Sequence, residues 1–242
     1  EQSLAFREGF LQRPVVDGWM QHFKGLLRKI FPAAVLKASH FKWVATYDID
    51  EAYSFKYKSW TRSAGAALRD ILTGRFKHFN QRRKVLDGRE ADPFDAYAWM
   101  DDLHRPYSIS PIYFFLVGKK NGRYDKQNLP GQTAMQILIQ KQAGQYAIGL
   151  HPSWQSGEDP ALLPEEKERL EKISGIKITA SRQHYIRMQI PLTYRRLLEA
   201  GIREDYSMGY GSINGFRASY SNAYYWYDLE QEVQTSLLLH PF

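Results

Sequence analysis

The chain has 242 residues, a hydrophobic share of 43% and a formal net charge of +7. This length allows one large domain or two small ones, and the apolar content is sufficient for a packed core. No stretch approaches the roughly 20 consecutive apolar residues of a membrane span. The absence of cysteine excludes disulfides and thiolate metal sites, so that a metal would have to be held by His, Asp or Glu. The cellular compartment stays open.

Helical and strand patterns alternate along the chain, which predicts an α/β fold with a mostly parallel sheet or barrel. The predicted helices are Glu1–Arg28, Ser54–Arg89, Asp95–Leu103, Thr133–Ala143, Pro164–Leu170 and Thr193–Ala200. The predicted strands are Phe41–Ile49, Ile112–Val117, Tyr146–Leu150, Ile176–Ala180, Ile202–Tyr206 and Val233–Leu239. No linker composition interrupts them, so we expect a single domain over 1–242. Its end at Phe242 resembles a strand entering a loop, and we expect the C-terminus to be truncated.

Most of the positive charge is concentrated between Lys56 and Arg89. This segment has ten lysines and arginines against two aspartates, an excess of eight, and the rest of the chain is close to neutral. We expect it to belong to a basic helical insertion, residues 55–105, after the first strand. It could meet an anionic membrane surface, an acidic glycan or nucleic acid, or it could be only a solvated helical face. No nucleic-acid-binding motif accompanies the charge, so we expect no nucleic-acid partner.

Two carboxylates, Asp48 and Asp50, stand at the end of the first predicted strand. Residues i and i+2 of a strand point to the same face, so both side chains should share one face at the carboxyl end of the strand. That end is where α/β folds place ligands and chemistry. Two carboxylates so close repel each other unless a cation or a proton lies between them. The pair therefore indicates one metal ligand and one general base.

Titratable residues recur at the ends of the other predicted strands. In a barrel these ends converge on one mouth. Each residue alone is weak evidence, since a single strand-end histidine is more often structural, but the joint pattern predicts a site. The residues are His151, Arg182, His184, Asp205 and His240.

Two strand ends resemble motifs of the polysaccharide deacetylases, metal-dependent carbohydrate esterases built on an irregular (β/α) barrel. Residues 46–50, Thr-Tyr-Asp-Ile-Asp, resemble the family's Thr-Phe-Asp-Asp, although the two aspartates of the family are adjacent. Residues 149–153, Gly-Leu-His-Pro-Ser, resemble the start of the family's His-Ser/Thr-x-x-His. Gln155 stands where the second histidine of that motif would be. The resemblance runs in the family's order from about Phe41 to the end.

The later motifs resemble the same family. Ser-Arg-Gln-His at 181–184 resembles its arginine-bearing third motif, residues 205–217 occupy the place of the fourth, and Leu-Leu-Leu-His at 237–240 resembles the Leu-x-His of the fifth. The pattern is most similar to a divergent bacterial branch, which would place the protein in a bacterial cytoplasm or envelope. The resemblance implies a divalent metal, zinc above all. The implied metal ligands are Asp50, His151 and His184, with His184 as the candidate for the missing histidine.

The resemblance also implies a mechanism and a substrate. Asp48 would be the catalytic base of a metal-activated water, Arg182 would hold that base in place, and His240 would be the general acid. The reaction would remove N-acetyl or O-acetyl groups from a polysaccharide or glycan precursor. Sugar rings stack on aromatic planes. The candidate substrate contacts are Trp154, Tyr206, Tyr210 and Arg217, with pairing to Asp205 as the alternative for Arg217.

Two further interpretations stay open. Because the second motif lacks its second histidine, the chain could be a catalytically impaired carbohydrate-binding domain of the same fold, active in polysaccharide assembly. If His184 does not bind metal, its alternative role is a hydrogen-bonded structural histidine. A nucleoside-phosphate enzyme is disfavoured, since no glycine-rich phosphate loop follows a predicted strand.

Overall fold

A computed structural model describes residues 3–36 and 41–242 of the chain. The chain divides into two compact units. The central unit is residues 44–178, and the terminal unit combines residues 1–43 with 179–242. Each unit contains both helices and strands, and the single domain predicted over 1–242 stays a prediction.

The elements alternate along the chain, as the sequence predicts. The helices are α1 (Leu4–Arg7), α2 (Val15–Ile30), α3 (Trp60–Leu72), α4 (Phe76–Leu86), α5 (Tyr97–His104), α6 (Thr133–Ala143), α7 (Leu162–Ser174) and α8 (Leu192–Glu199). The strands are β1 (Thr46–Ile49), β2 (Ile112–Phe115), β3 (Ala147–Leu150), β4 (Ala180–Ser181), β5 (Glu204–Met208), β6 (Tyr224–Asp228) and β7 (Val233–Pro241). Short 3₁₀ turns follow α5, β3 and β4.

The central unit is organised by three parallel strands in the order β1-β2-β3. Their ends are level, because Ile49 pairs with Phe115 and Phe115 pairs with Leu150. The middle strand β2 is almost wholly apolar, and Phe114 and Phe115 are fully buried. A short apolar run of this kind is typical of a parallel strand that is covered on both faces.

Helix α6 packs in the central unit through one apolar face. Its buried residues recur at i, i+3, i+4 and i+7, the spacing of one face of an α-helix. These residues are Met135, Leu138, Ile139 and Gln142. The observed bounds of α6 are those that its periodicity predicts.

Two helices replace the single helical stretch that we predicted over Ser54–Arg89. The chain leaves α3 at Thr73 and adopts a positive φ of 71° at Gly74, a conformation that glycine enters at little cost. α4 then begins at Phe76. The turn is consolidated by Asp70, whose buried carboxylate accepts hydrogen bonds from His78 and Arg82. Three helices, α3, α4 and α5, thus separate β1 from β2 along the chain.

The terminal unit contains a mixed sheet in the order β4-β5-β7-β6. β5 pairs parallel with both β4 and β7, whereas β6 pairs antiparallel with β7. We did not predict β6, which forms a hairpin with β7 around the turn after Asp228. The parallel strands bear out the mixed α/β class with mostly parallel pairing, and the closed barrel stays a prediction.

The bounds of the predicted strands differ from those in the structure. β2 and β3 are shorter than predicted, and β5 is shifted by two residues. β1 starts at Thr46, and Phe41 and Trp43 before it are exposed. β4 has only two residues where five were predicted. β7 extends through Pro241, whereas the prediction ended it at Leu239. In each case the apolar run in the sequence and the residues that pair with a neighbouring strand have different ends. Hydrogen-bond pairing between strands, and not apolar character, decides the bounds of a strand.

The first predicted helix is divided into α1 and α2, and residues 1–2 of it lie outside the described part of the chain. Within α2, Trp19 and Phe23 are 69% and 52% exposed. None of the described helices combines the length and apolar content that a membrane span requires.

The buried middle strand gives a direct test of this packing. We expect Phe115→Ala to lower the free energy of unfolding by about 3–5 kcal/mol, since it removes a fully buried aromatic ring and leaves a cavity. Ile137→Ala, which truncates a side chain that is 59% exposed on α6, should change it by less than about 0.5 kcal/mol. Urea denaturation measures both, and equal losses for the two variants would contradict the assignment of β2 to the core.

Candidate metal centre

The end of β1 places Asp48 and Asp50 on its exposed face. Both carboxylate side chains are exposed, and Ile49 between them is buried. This alternation is what the two-residue period of a strand requires. On the opposite face Tyr47 stacks 5.5 Å from Tyr113 and its hydroxyl lies 2.8 Å from His104 Nε2. The packing of Tyr47 therefore fixes which way the two aspartates point.

His151 follows β3 directly and contacts Asp50. Its Nε2 lies 3.1 Å from Asp50 Oδ1, with the imidazole 2% and the carboxylate 52% exposed. The backbone N–H of His151 donates to the carbonyl of Phe115 at 2.9 Å, which continues the β2–β3 pairing past the last strand residue. The two side chains thus meet over the end of β2 although they lie 101 positions apart in the chain.

The backbone after Asp50 is held by residues that the sequence analysis did not single out. Asp92 accepts hydrogen bonds from the backbone N–H groups of residues 54, 55 and 56 at 2.7–2.9 Å. Burial acts to raise the pKa of Asp92, but these hydrogen bonds outweigh it and hold the pKa below its usual value. Asn128 Oδ1 accepts from the N–H of Tyr53 at 2.9 Å. The loop leaving the site is therefore fixed from two sides.

The backbone after His151 is held by a buried glutamate. Glu166 on α7 accepts from the N–H of Ser153 at 2.9 Å and from its hydroxyl at 2.5 Å. Burial raises the pKa of Glu166, and the two bonds from Ser153 only partly oppose that rise. The contact keeps the turn after His151 in one conformation, which favours a fixed orientation of the imidazole.

Gln155 and Trp154, further along the same turn, are bound to Asp125. Gln155 Nε2 donates to Asp125 Oδ2 at 3.0 Å and to the carbonyl of Lys120 at 3.2 Å. The N–H of Trp154 donates to Asp125 Oδ1 at 2.8 Å, and its indole stacks 4.1 Å from Tyr124. The residue at the place of the family's second histidine thus serves to hold the loop.

Arg182 and His184 belong to the terminal unit and follow β4. Arg182 is buried, its Nε donates to the carbonyl of Tyr206 at 2.9 Å, and its guanidinium lies 4.7 Å from the ring centre of Phe242. His184 is buried at the start of a 3₁₀ turn, and its ring lies 4.3 Å from that of Tyr185. Their predicted roles beside the aspartates of the central unit stay predictions.

His240, near the end of β7, is held between two neighbours from β5. Its ring stacks on Tyr206 at 4.1 Å with the planes 2° apart, and its Nε2 lies 2.9 Å from Glu204 Oε2. Burial lowers the pKa of His240, and the Glu204 carboxylate opposes that change without cancelling it. Tyr206, a predicted sugar contact, is only 9% exposed, and His240 covers one face of its ring.

Asp205 and Arg217 do not pair, which removes one of the two roles predicted for the arginine. Asp205 is fully buried and accepts from the hydroxyls of Ser181 and Ser207 at 2.9 Å. Burial raises its pKa to about 6, against the opposing effect of these hydrogen bonds. Arg217 instead donates to the carbonyl of Gly209 at 3.3 Å and lies 5.9 Å from the ring centre of Tyr210. Asp205 is therefore part of the framework between β4 and β5.

The Asp50–His151 contact fits a shared metal ion. Two atoms that bind the same metal ion each lie about 2.0–2.2 Å from it. When the angle between them at the ion is about 90–110°, the two atoms lie about 3.0–3.5 Å apart. The observed 3.1 Å lies in that range. One carboxylate oxygen and one imidazole nitrogen also suit zinc and other divalent ions at N/O sites. This His/Asp cluster could bind a metal.

Comparison with known proteins gives similar structures and one short sequence match. Residues 1–32 match a profile described as "Family of unknown function (DUF7033)". No curated protein matches the chain. Among the similar structures are a candidate polysaccharide deacetylase from Mycobacterium smegmatis, the polysaccharide deacetylase Bc1974 from Bacillus cereus, and IcaB from Ammonifex degensii.

The similarity to these structures is remote. The Mycobacterium smegmatis protein is 13% identical with a TM-score of 0.48, over 85% of this chain and 63% of that one. The Bacillus cereus protein is 14% identical with a TM-score of 0.35, over 48% of this chain and 56% of that one. IcaB is 14% identical with a TM-score of 0.38, over 69% of this chain and 84% of that one. The chain thus spans less than two thirds of the first two.

Glu166 gives a testable pH dependence. Because its folded-state pKa is raised, the folded chain holds more protons than the unfolded chain above pH 4.5, and stability should decline as pH rises through that pKa. In Glu166→Gln this contribution is absent. We expect the free energy of unfolding of the wild type, relative to the variant, to fall between pH 4 and pH 7. Glu165→Gln, at an exposed neighbour, should leave the dependence unchanged. A parallel pH course for wild type and Glu166→Gln would contradict the burial of this carboxylate.

Proposed function

We propose that this protein is a metal-dependent hydrolase that removes acetyl groups from a polysaccharide or glycan precursor. The observation that carries the proposal is the 3.1 Å contact between Asp50 and His151 at the level ends of β1 and β3. An exposed carboxylate beside a buried imidazole, with a second carboxylate two residues before it, is a suitable arrangement for hydrolysis assisted by a metal. The resemblance of residues 46–50 and 149–153 to deacetylase motifs supports the same reaction.

In this proposal His184 is the third ligand, in place of the histidine that the second motif lacks. Together with Asp50 and His151 it offers one carboxylate oxygen and two imidazole nitrogens, the donor set of many catalytic zinc sites. Its burial supports the assignment, since a buried imidazole is held in few orientations. A divalent ion bound there would polarise the acetyl carbonyl and lower the pKa of a water.

The residues of the chain carry the proton transfers. Asp48 accepts the proton of the attacking water, and Arg182 holds this carboxylate in place. His240, as the imidazolium, donates a proton to the leaving group. Glu204, 2.9 Å from His240 Nε2, orients the ring and stabilises its charged form. General acid–base assistance of this kind contributes roughly 10²–10⁴-fold to the rate.

Four side chains are proposed to contact the sugar. Trp154 presents an indole that is only partly exposed and is positioned by its stacking on Tyr124. In the terminal unit Tyr210 is partly exposed and offers ring surface, whereas Tyr206 is 9% exposed and offers little. The exposed Arg217, 5.9 Å from the ring centre of Tyr210, offers hydrogen-bond donors. Aromatic faces bind the apolar faces of sugar rings while their polar groups bind hydroxyls.

A carbohydrate-binding domain without catalysis is the second candidate function. Gln155 favours it, because this residue occupies the place of a metal-binding histidine and is committed to hydrogen bonds with Asp125 and Lys120. Under this alternative the protein would bind a glycan without releasing acetate, whatever metal is supplied.

The metal ligands are tested by separating binding from turnover. We expect Asp50→Ala and His151→Ala each to weaken zinc binding by at least about 100-fold, since each removes a direct ligand. Asp48→Asn should bind zinc as the wild type does and should lose about 10²–10⁴-fold in acetate release from an acetylated oligosaccharide. His22→Ala, at an exposed histidine of α2, is the matched control. Calorimetric zinc titration and an acetate assay measure the two properties; undiminished zinc binding in both ligand variants would refute the site.

His240 predicts the alkaline limit of the reaction. The pKa of His240 is lowered from its usual 6.5, and the imidazolium is lost as pH rises through this lowered pKa. We therefore expect kcat/KM to fall with rising pH, with a midpoint below pH 6.5. Glu204→Gln removes the group that raises the pKa of His240, so the midpoint should move lower still. Glu199→Gln, at an exposed glutamate of α8, should leave the profile in place. A profile that His240→Gln does not change would exclude this residue as the acid.

A further inference from the structure

A cavity of about 450 Å³ in the central unit is lined largely by basic side chains. It runs along the face of α3 that carries Arg62, Gly65, Ala66 and Arg69, residues that helical spacing places together. Glu51, the residue after Asp50, also lines it. The cavity therefore begins one residue along the chain from Asp50, the candidate metal ligand.

The charge of the cavity is strongly unbalanced. Five lysines and arginines line it against a single carboxylate, that of Glu51. Lys58 Nζ lies 2.9 Å from Glu51 Oε2, and Arg62 Nη2 lies 2.9 Å from Glu51 Oε1. This carboxylate is therefore already shared between two cations. The remaining cations are Arg69, Arg82 and Lys126.

One of these cations is built into the wall. Arg82 is 7% exposed and its guanidinium lies 4.8 Å from the ring centre of Phe55. Its Nη2 donates to Asp70 at 3.0 Å, and His78 Nδ1 lies 2.8 Å from the same oxygen. Asp70 is itself 1% exposed, so a buried hydrogen-bond network fixes this part of the wall.

Two cations are left without a carboxylate. Across residues 3–36 and 41–242, neither Arg69 nor Lys126 forms an ion pair, and Lys126 Nζ donates only to the carbonyl of Gly122 at 2.8 Å. Cations brought close in a concave surface raise one another's free energy and attract anions. The start of α3 adds to this potential, because a helix N-terminus carries partial positive charge and Lys58 and Arg62 flank it.

We propose that this cavity binds an oxyanion, a carboxylate or sulfate group, carried by the glycan on which the protein acts. The inference rests on the proposed function and narrows its substrate to acidic glycans. Arginine presents paired donors that match the two oxygens of such groups. Because Glu51 directly follows Asp50, and Cα atoms of neighbouring residues are about 3.8 Å apart, one oligosaccharide can reach both the cavity and the metal ligand. A concave cavity favours a projecting sugar substituent over a flat membrane surface.

Binding of an unacetylated acidic oligosaccharide tests the cavity apart from catalysis. The probes are a hexamer of galacturonate and its methyl ester, titrated into the zinc-loaded protein by calorimetry at two salt concentrations. We expect the acid to bind more weakly at the higher salt and the neutral ester to bind at least about tenfold more weakly than the acid. Arg69→Gln should weaken binding of the acid by about tenfold. Arg75→Gln removes the same charge from a position outside the cavity lining and should leave binding within about twofold.

A second variant keeps the test independent of any loss of folding. Apart from its chain neighbours and the backbone of its own helix, no heavy atom lies within 4 Å of the position that a Cβ at Gly65 would occupy. Gly65→Glu therefore introduces no clash at Cβ and adds a carboxylate to a residue of the cavity lining. It should abolish binding of the acid while zinc binding stays that of the wild type, which shows that the variant is folded. The inference is overturned if acid and ester bind alike, or if the two arginine variants behave alike. It is equally overturned if Arg69→Gln weakens binding to phosphatidylserine vesicles or duplex DNA but not to the acid. Failure of the wild type to release acetate from a neutral acetylated oligosaccharide would instead count against the proposed function alone.

Discussion

The level, parallel pairing of β1, β2 and β3 is the constraint on which the candidate site depends. Because Ile49, Phe115 and Leu150 lie at one height across the sheet, the next residues of the outer strands, Asp50 and His151, emerge at the same edge. The buried apolar strand between them keeps that edge from shifting. A displacement of one strand by a single residue would turn the side chain to the other face and separate the pair.

Buried carboxylates fix the loops around this edge. Glu166 and Asp92 each accept two or more hydrogen bonds from the chain just after the site residues, so that the loops hold little freedom. Such preorganisation is what a metal centre requires of its surroundings. The central unit also contains a basic cavity, in which Arg69 and Lys126 form no ion pair with any residue of 3–36 and 41–242. We propose that these cations bind an anionic group of the substrate.

Elements governed by local periodicity were predictable, and contacts between distant residues were not. The bounds of α6 follow from its apolar spacing, and the convergence of Asp50 with His151 follows from strand order alone. β6 was missed because its aromatic run has no partner until β7 folds back on it. The roles of Glu166 and Asp92 were missed because a carboxylate in a sequence does not reveal which distant N–H group it will meet.

The position of a bound metal ion tests the central claim most directly. Crystals of the protein grown with zinc would give an anomalous-scattering map in which the metal can be located. We predict a peak within about 2.0–2.3 Å of both Asp50 Oδ1 and His151 Nε2. A fully occupied peak bound elsewhere, or a map in which these two side chains keep their mutual contact with no metal at saturating zinc, would contradict the metal centre and the hydrolysis proposed for it.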